Sequence, residues 1–351
     1  MKLSIGILAH NEADSLPILL RSLWQQSWLQ DLNRENFVEI IVIPNGCTDN
    51  TAEVAQEILT KLATKANPDL LQWKVCQVNE PGKSNAWNLF VHQFSADDTD
   101  FFCLMDADIQ LYAPDTLAKM LDILVQNPEY WISLDRPIKD VELKKNKNFL
   151  EKLSVAVSKS SNEGQLYICG QLYCARASVL RSMWMPAGLP VEDGFLTQMV
   201  ISENFTLKNP TFDKRIVRVT EASHIFAAYT NPWELINHEV RVVVGIVINS
   251  FLTCYFQERC NQKLTAGKLI AKMNSENHFW LNDFVKNSIP KRSWWIIPIS
   301  LVFRRYRSLK NHSLFKALLR IPIATLAFIV DLVVFIRANS KLHGEVITNY
   351  W

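Results

Sequence analysis

The sequence predicts an α/β fold: a mostly parallel sheet flanked by helices, followed by a helical region of membrane-associating character. Three observations carry that expectation. Short apolar runs alternate with amphipathic helical stretches through the first two thirds of the chain, the pattern of strands wrapped by helices. The early runs are mostly apolar and end in polar or turn-forming residues, as strands do when both faces are buried. After about Pro232 the alternation gives way to long apolar helical segments broken by basic clusters. We therefore expect an α/β domain over residues 1–231 and a helical region over residues 232–351.

Taken in order, Leu3–Ala9 is a first strand, ending in His10-Asn11-Glu12. Asp14-Ser15 then opens a helix with Leu16, Leu19, Leu20, Leu23 and Trp24 on one face. Phe37–Ile43 is a second strand, punctuated by Pro44-Asn45-Gly46, and Thr48-Asp49-Asn50-Thr51 caps the next helix. Trp73–Val78 is a third strand, leading through Gly82-Lys83-Ser84 into another helix. Phe101-Phe102-Cys103-Leu104-Met105 is a fourth, ending in Asp106-Ala107-Asp108, with a helix from Pro114. Further strands are expected at Trp131–Leu134, Gln165–Ala175, Ile216–Val219 and Ser223–Phe226. A lysine-rich helix is expected around Lys144–Lys152, and Val191-Glu192-Asp193-Gly194 opens a helix through Val200.

Composition narrows the functional classes. The chain has 351 residues, 48% hydrophobic and 21% charged, and its net charge of +2 gives no sign of a nucleic-acid binder. Its seven cysteines include no C-x-x-C pair, so they read as free thiols in a reducing compartment rather than as a zinc site or disulfide framework. Met1-Lys2 runs directly into a strand with no signal peptide, and the domain that follows is expected in the cytosol.

The strand ends carry the candidate chemistry. Two carboxylates at the end of one strand, Asp106 and Asp108, are costly to bury without a positive partner, and a hard divalent cation such as Mn²⁺ or Mg²⁺ suits oxygen ligands. A helix cap or a solvated loop pair is the competing reading. Lys83 lacks the upstream glycine of a phosphate-binding P-loop, since Gln77 stands there, yet a lysine at a strand–helix junction still suits a phosphate. No G-x-G-x-x-G follows the first strand, which speaks against a dinucleotide cofactor. Asp193, beside Glu192 at a helix start, would take a proton from an attacking hydroxyl if its loop crosses the crevice; a charge pair stabilised by the helix dipole is the alternative. His224 is a candidate third metal ligand or else a hydrogen-bonded core histidine. Asn11, Glu12, Asn45 and Asp49 are placed to meet a base or ribose, with capping the alternative for Asp49.

Taken together, these pieces resemble the family 2 glycosyltransferases. The matching residues are His10-Asn11-Glu12, Asn45 to Thr51, Gly82-Lys83-Ser84-x-Ala86-x-Asn88, Asp106-Ala107-Asp108 and Glu192-Asp193. The resemblance implies a GT-A catalytic domain over residues 1–231 that inverts the anomeric centre while moving a sugar from a nucleotide-diphospho-sugar, a UDP-sugar first of all, to a hydroxyl acceptor. It implies that Asn11, Glu12, Asn45, Lys83 and Asp106 line the donor site. It implies that Asp106 and Asp108 form the metal–diphosphate site, for Mn²⁺ or Mg²⁺ with His224 as the candidate third ligand, and that Asp193, beside Glu192, is the general base. Many members carry Asp-Asp-Gly where this chain has Pro44-Asn45-Gly46. The processive members' Gln-x-x-Arg-Trp has only His238-x-x-Arg241-Val242 as a counterpart, which favours transfer of single sugars. A sugar nucleotidyltransferase and a catalytically silent scaffold are the rival readings.

Ile321–Ile336 is apolar apart from Thr325 and Asp331 but short for a span. Trp294-Trp295 beside Arg304-Arg305 reads as an interfacial segment touching anionic lipid. The expected location is the cytoplasmic face of a membrane, peripheral or monotopic with a single span as the alternative. A lipid-linked or envelope glycan acceptor would suit it.

Overall fold

The computed structural model describes residues 1–30, 36–144, 166–208, 210, 214–229, 231–290, 294–309 and 314–344. Its centre is an eight-stranded mixed sheet in the order β3-β2-β1-β4-β7-β6-β8-β5. The strands are β1 (Lys2–Ala9), β2 (Phe37–Pro44), β3 (Leu71–Val75), β4 (Phe101–Asp106), β5 (Ile109–Leu111), β6 (Ile132–Lys139), β7 (Leu172–Arg176) and β8 (Ile216–Phe226). The first four are mutually parallel, so the polar residues that follow β1, β2 and β4 all leave the sheet at one edge. β7 runs antiparallel between β4 and β6, which brings its entry residues, Gly170 and Gln171, to that same edge.

Alternation along the strands builds two cores. Leu3, Ile5 and Ile7 of β1, Val38, Ile40 and Val42 of β2, and Phe101, Cys103 and Met105 of β4 face the helices Leu16–Trp24 and Thr51–Leu62. The intervening Ile41, Ile43, Phe102 and Leu104 face the opposite way, onto Trp87 and Phe90. Each fully buried side chain of this size contributes about 1.5–3 kcal/mol, which is why both faces read as unbroken apolar runs.

The second core does not stop at the expected boundary. It runs on through Val240, Val243, Val244, Val247 and Phe256 of helix Pro232–Arg259 and into Val334 and Phe335 of helix Leu314–His343. The helical region therefore shares a core with the sheet.

Several expectations change. The third strand starts earlier, at Leu71, and Val78 keeps only an isolated bridge to Asn45. The two late strands are one, Ile216–Phe226, irregular in the middle. β5 was not expected; three residues carry too little pattern. Of the strand expected at Gln165–Ala175, Gln165 lies outside the described residues and the ladder begins only at Leu172. The expected lysine-rich helix falls, from Lys145 onward, outside the described residues.

Candidate active site

Lys83 is the hub of the strand-end crevice. It opens the helix Lys83–Leu89, and its ammonium lies 2.7 Å from Asp106 Oδ1 and 3.0 Å from Glu192 Oε1. It also donates to the Gly170 carbonyl at 3.4 Å. Burial alone would lower the lysine's pKa, but Asp106 and Glu192 outweigh that and hold it charged. Burial also pushes the Asp106 carboxyl up to about 7, against the pull of Lys83, with Asp108 adding to the rise. Asp193 is raised to about 6, first by burial and then by Glu192. Glu192 and Asp193 form the first turn of helix Glu192–Ile201, as expected, and the structure brings them together with Lys83 and Asp106.

Gly170 makes this convergence possible. A Cβ there would stand 2.9 Å from Glu192 Oε1, 3.3 Å from Lys83 Nζ and 3.4 Å from Asp193 Cβ. Helix Pro232–Arg259 supports the acidic pair from behind. Gly245 lets it close on Val191, where a Cβ would come 2.3 Å from Val191 Cγ2, and Asn249 donates to the Val191 carbonyl at 3.1 Å.

The polar residues after β1 and β2 are tied to each other. Asn11, with φ of 56°, accepts the Thr48 N–H through Oδ1 at 2.7 Å and the Asp49 N–H at 3.3 Å. Asn45 is completely buried. Its amide donates to the Glu80 carbonyl and accepts from the Gly82 N–H, both at 2.6 Å. Its expected contact with the donor is thereby revised to an indirect one: it staples the end of β2 to the loop that presents Lys83. Asp49 caps locally, accepting from Thr51 and from the Ala13 N–H. Glu12 accepts from Ser15; burial raises its pKa, and Asp108 and Asp49 raise it further, so it lies within electrostatic reach of Asp108.

His224 is paired with protein groups. Its Nδ1 lies 2.7 Å from Asp135 Oδ2 and its Nε2 lies 3.3 Å from Gln171 Oε1, and the histidine is fully buried. A carboxylate on one ring nitrogen is also how metal-ligating histidines are commonly held, so this pairing leaves the third-ligand expectation standing as a proposal. Among the described residues no group of three His, Cys, Asp or Glu side chains is arranged to hold a metal ion. The donor set still fits one kind of site. Mg²⁺-like ions often take one or two carboxylates and complete their shell with water and substrate phosphates, and exposed Asp108 beside Asp106 offers such carboxylates. Lys83 brings one positive charge to Asp106, Asp108, Glu192 and Asp193, so the crevice keeps an affinity for further cations.

Gln171, Asp135, Gly170 and Gly245 were missed in sequence. Nothing local distinguishes them, since their partners lie far away along the chain.

A parallel-sheet edge with a largely buried lysine, carboxylates on either side of it and a helix start is a crevice suited to an anionic ligand. The sequence model described as Glycosyl transferase family 2 matches residues 4–179, half of the chain, and the protein belongs to that family. It is a glycosyltransferase of GT-A fold. No curated protein matches the sequence. Among solved structures, S. aureus TarS shares 15% identity over 97% of this chain at a TM-score of 0.45, and this chain spans 55% of TarS. S. aureus TarS 1–349 in complex with UDP-GlcNAc shares 14% identity, with 97% of this chain and 91% of that one covered and a TM-score of 0.45. Glucosyl-3-phosphoglycerate synthase from Mycobacterium tuberculosis, in complex with Mn²⁺, UDP and phosphoglyceric acid, shares 17% identity over 72% of this chain and 78% of that one, at a TM-score of 0.47. At these identities the likeness is one of fold alone.

Proposed function

We propose that the protein is an inverting glycosyltransferase that moves a single sugar from a nucleotide-diphospho-sugar, a UDP-sugar first of all, to a hydroxyl of a glycan or lipid-linked acceptor. The observation that carries the reading is Lys83 held between Asp106 and Glu192, with Asp193 beside them. A departing nucleoside diphosphate gathers negative charge, and a largely buried ammonium at a helix N-terminus is suited to receive it. Asp193 takes the acceptor's proton as the hydroxyl attacks the anomeric carbon from the face opposite the leaving group. Its raised pKa makes it a stronger base than an ordinary aspartate. Asn11, Glu12 and Lys83 line the donor side, and Asn45 shapes it. Mn²⁺ or Mg²⁺, held by Asp108 and Asp106, would supply charge neutralisation at the diphosphate.

The same reading places the protein at a membrane surface, on its cytoplasmic face. Among the described residues two helices are long and apolar enough to cross a membrane, Pro232–Arg259 and Arg320–His343, so the second is longer than its sequence implies. The support for surface docking is the outward face of the tail helix, where Leu326, Ile329, Val330, Val333 and Ile336 are exposed together. Arg304 and Arg305 do not contribute the lipid contacts expected of them, because both point inward onto Asp331. The catalytic part is then residues 1–231, with 232–351 as support and anchor.

The test is a screen of UDP-sugars for Mn²⁺-dependent turnover. Activity that disappears in Asp108→Ala and collapses in Asp193→Asn supports the reading; an Asp193→Asn enzyme as fast as wild type removes Asp193 as base.

A further inference from the structure

A second cleft opens beside the helix that presents Lys83. Lys83 and Asn85 are two residues apart on helix Lys83–Leu89 and so face different ways. Lys83 faces the crevice. Asn85 lines a separate cavity of about 160 Å³, together with Gly188, His278, Phe279 and Asn282, and that is far more room than one water needs. The walls are tied to each other. Asn274 accepts from the Ala187 N–H at 3.1 Å and from Trp280 Nε1 at 2.8 Å, and donates to the Met185 carbonyl at 2.9 Å. The Leu189 N–H donates to Ser84 Oγ at 3.1 Å, and His278 Nε2 lies 2.7 Å from Glu80 Oε1. The cleft is therefore built in advance, and a ligand has little left to order.

The protein leaves the polar groups of this cleft unused. Asn274 employs both ends of its amide, whereas the Asn85 amide has no hydrogen bond among the described residues, and Asn282 Oδ1 is shut off from solvent without a partner there. A buried oxygen without a partner is costly, and a turn of that amide into the cleft it lines would give it one when a ligand is present. Beside the two amides stands the Phe279 ring, an apolar face left 62% exposed. No lysine or arginine lines the cleft, and its one histidine faces the Glu80 carboxylate, so a phosphate or other anion finds no cation to draw it. The ligand that suits these walls is neutral, has hydroxyls that both donate and accept, as the amides do, and shows an apolar face to a ring. A sugar in its ring form is such a molecule, with hydroxyls around its edge and C–H groups on its faces.

We propose that this cleft is a second sugar-binding site, which takes one neutral sugar residue away from the reacting centre. Phe279 covers the sugar's C–H face, and Asn85 and Asn282 meet its hydroxyls. The helix that carries Asn85 also carries Lys83, and the loop that carries Gly188 runs on into Glu192 and Asp193, so cleft and crevice share two walls. An acceptor glycan would be held here at one residue while another is modified, a role that rests on the glycosyltransferase reading.

The test is ligand-observed NMR on the full chain with glucose, galactose, N-acetylglucosamine, cellobiose and lactose, and with glycerol as the control for polyols in general. Each bound sugar is titrated against wild type, with and without saturating UDP and Mn²⁺, and against Phe279→Ala, Asn85→Ala and Asn282→Ala. At least one sugar is expected to bind where glycerol does not, and UDP should leave its affinity within about twofold, as for independent sites. Phe279→Ala and Asn85→Ala should each weaken the sugar about tenfold while binding UDP as wild type does. A panel in which no sugar binds overturns the proposal. So does a bound sugar that UDP displaces, or one that Phe279→Ala and Asn85→Ala leave untouched. Phe279 is exposed and Asn85 half-buried, so these two variants decide even if Asn282→Ala fails to fold. UDP binding by wild type is read on the same samples. A protein that binds the sugar and not UDP upholds the cleft and counts against the donor reading, and one that binds UDP and no sugar does the reverse.

Discussion

Helix Pro232–Arg259 and helix Leu314–His343 are both long and strongly apolar and both enter the second core, yet the second also carries a band of large apolar residues on its outer face. The first is buried against the sheet's second core, and through Gly245 and Asn249 it presses on Val191, the residue before the Glu192-Asp193 pair. The second buries Val334 and Phe335 and turns polar groups inward beside them. Asp331, 3% exposed, accepts from Arg304 and Arg305, Asn339 is fully buried, and Leu326 on the outer face is 67% exposed. Hydropathy summed along a helix cannot separate a core strut from a surface anchor. The buried polar residues can, because they mark which side meets protein.

The comparison is open to attack at each point, the largest effect first. If the first helix exists to steady the base, removing the base must cost most: Asp193→Asn should lower kcat by roughly 10²–10⁴. Wild-type kcat should rise with pH through about 6, as Asp193 loses its proton, and the Asn variant should lose that rise. Next, Gly245→Ala forces a methyl into Val191. We expect a stability loss of about 1–3 kcal/mol by chemical denaturation together with a fall in kcat, while liposome binding is unchanged. Stability that falls with kcat unaffected would sever the helix from the chemistry.

The anchor is tested from its outer face. Leu326→Glu, Val330→Glu and Val333→Glu together should abolish sedimentation with anionic liposomes and leave turnover of a soluble donor within about twofold. If turnover falls as far as binding, the two helices are not functionally distinct. On the inner face, Asp331→Asn removes the charge that Arg304 and Arg305 share, although Arg304 keeps Glu239 at 2.9 Å. The partly exposed arginines limit that cost to about 1–3 kcal/mol, read as a lower denaturation midpoint.

The smallest effect separates the sheet edge from both helices. His10 is pushed down to about 3, chiefly by burial, and its Nδ1 lies 2.8 Å from the Asn45 carbonyl. The unfolded chain takes up that proton near pH 6.5 and the folded one does not, so stability is full above 6.5 and falls as pH drops toward 3. Denaturant midpoints at pH 7 and pH 5 should differ less in His10→Gln than in wild type.

Much of this molecule is legible in its residues. β1, β2 and β4 are buried on both faces and announce themselves as apolar runs, and the carboxylates at Asp106 and Asp108 stand out because such a run ends on them. Lys83 and the Glu192-Asp193 pair are visible as polar residues at helix starts. What stays hidden depends on partners remote in sequence. Asn45 looks like an exposed turn residue until Glu80 and Gly82 close over it. His224 shows no partner in its own strand's sequence, and Asp135, on another strand, takes its Nδ1. β7 cannot be assigned antiparallel from its own residues, because its register with β4 is set by the whole sheet.

The position of Lys83 has a consequence for the order of events. With the crevice empty, its ammonium is the counter-ion of Asp106 and Glu192 at once. A phosphate arriving there competes with both carboxylates for that ammonium. Whatever it draws away from Glu192 leaves the acidic pair more negative, and a more negative pair is a better proton acceptor. Donor binding would thus arm the base, and an acceptor reaching the crevice first would meet a base still quieted by its own lysine.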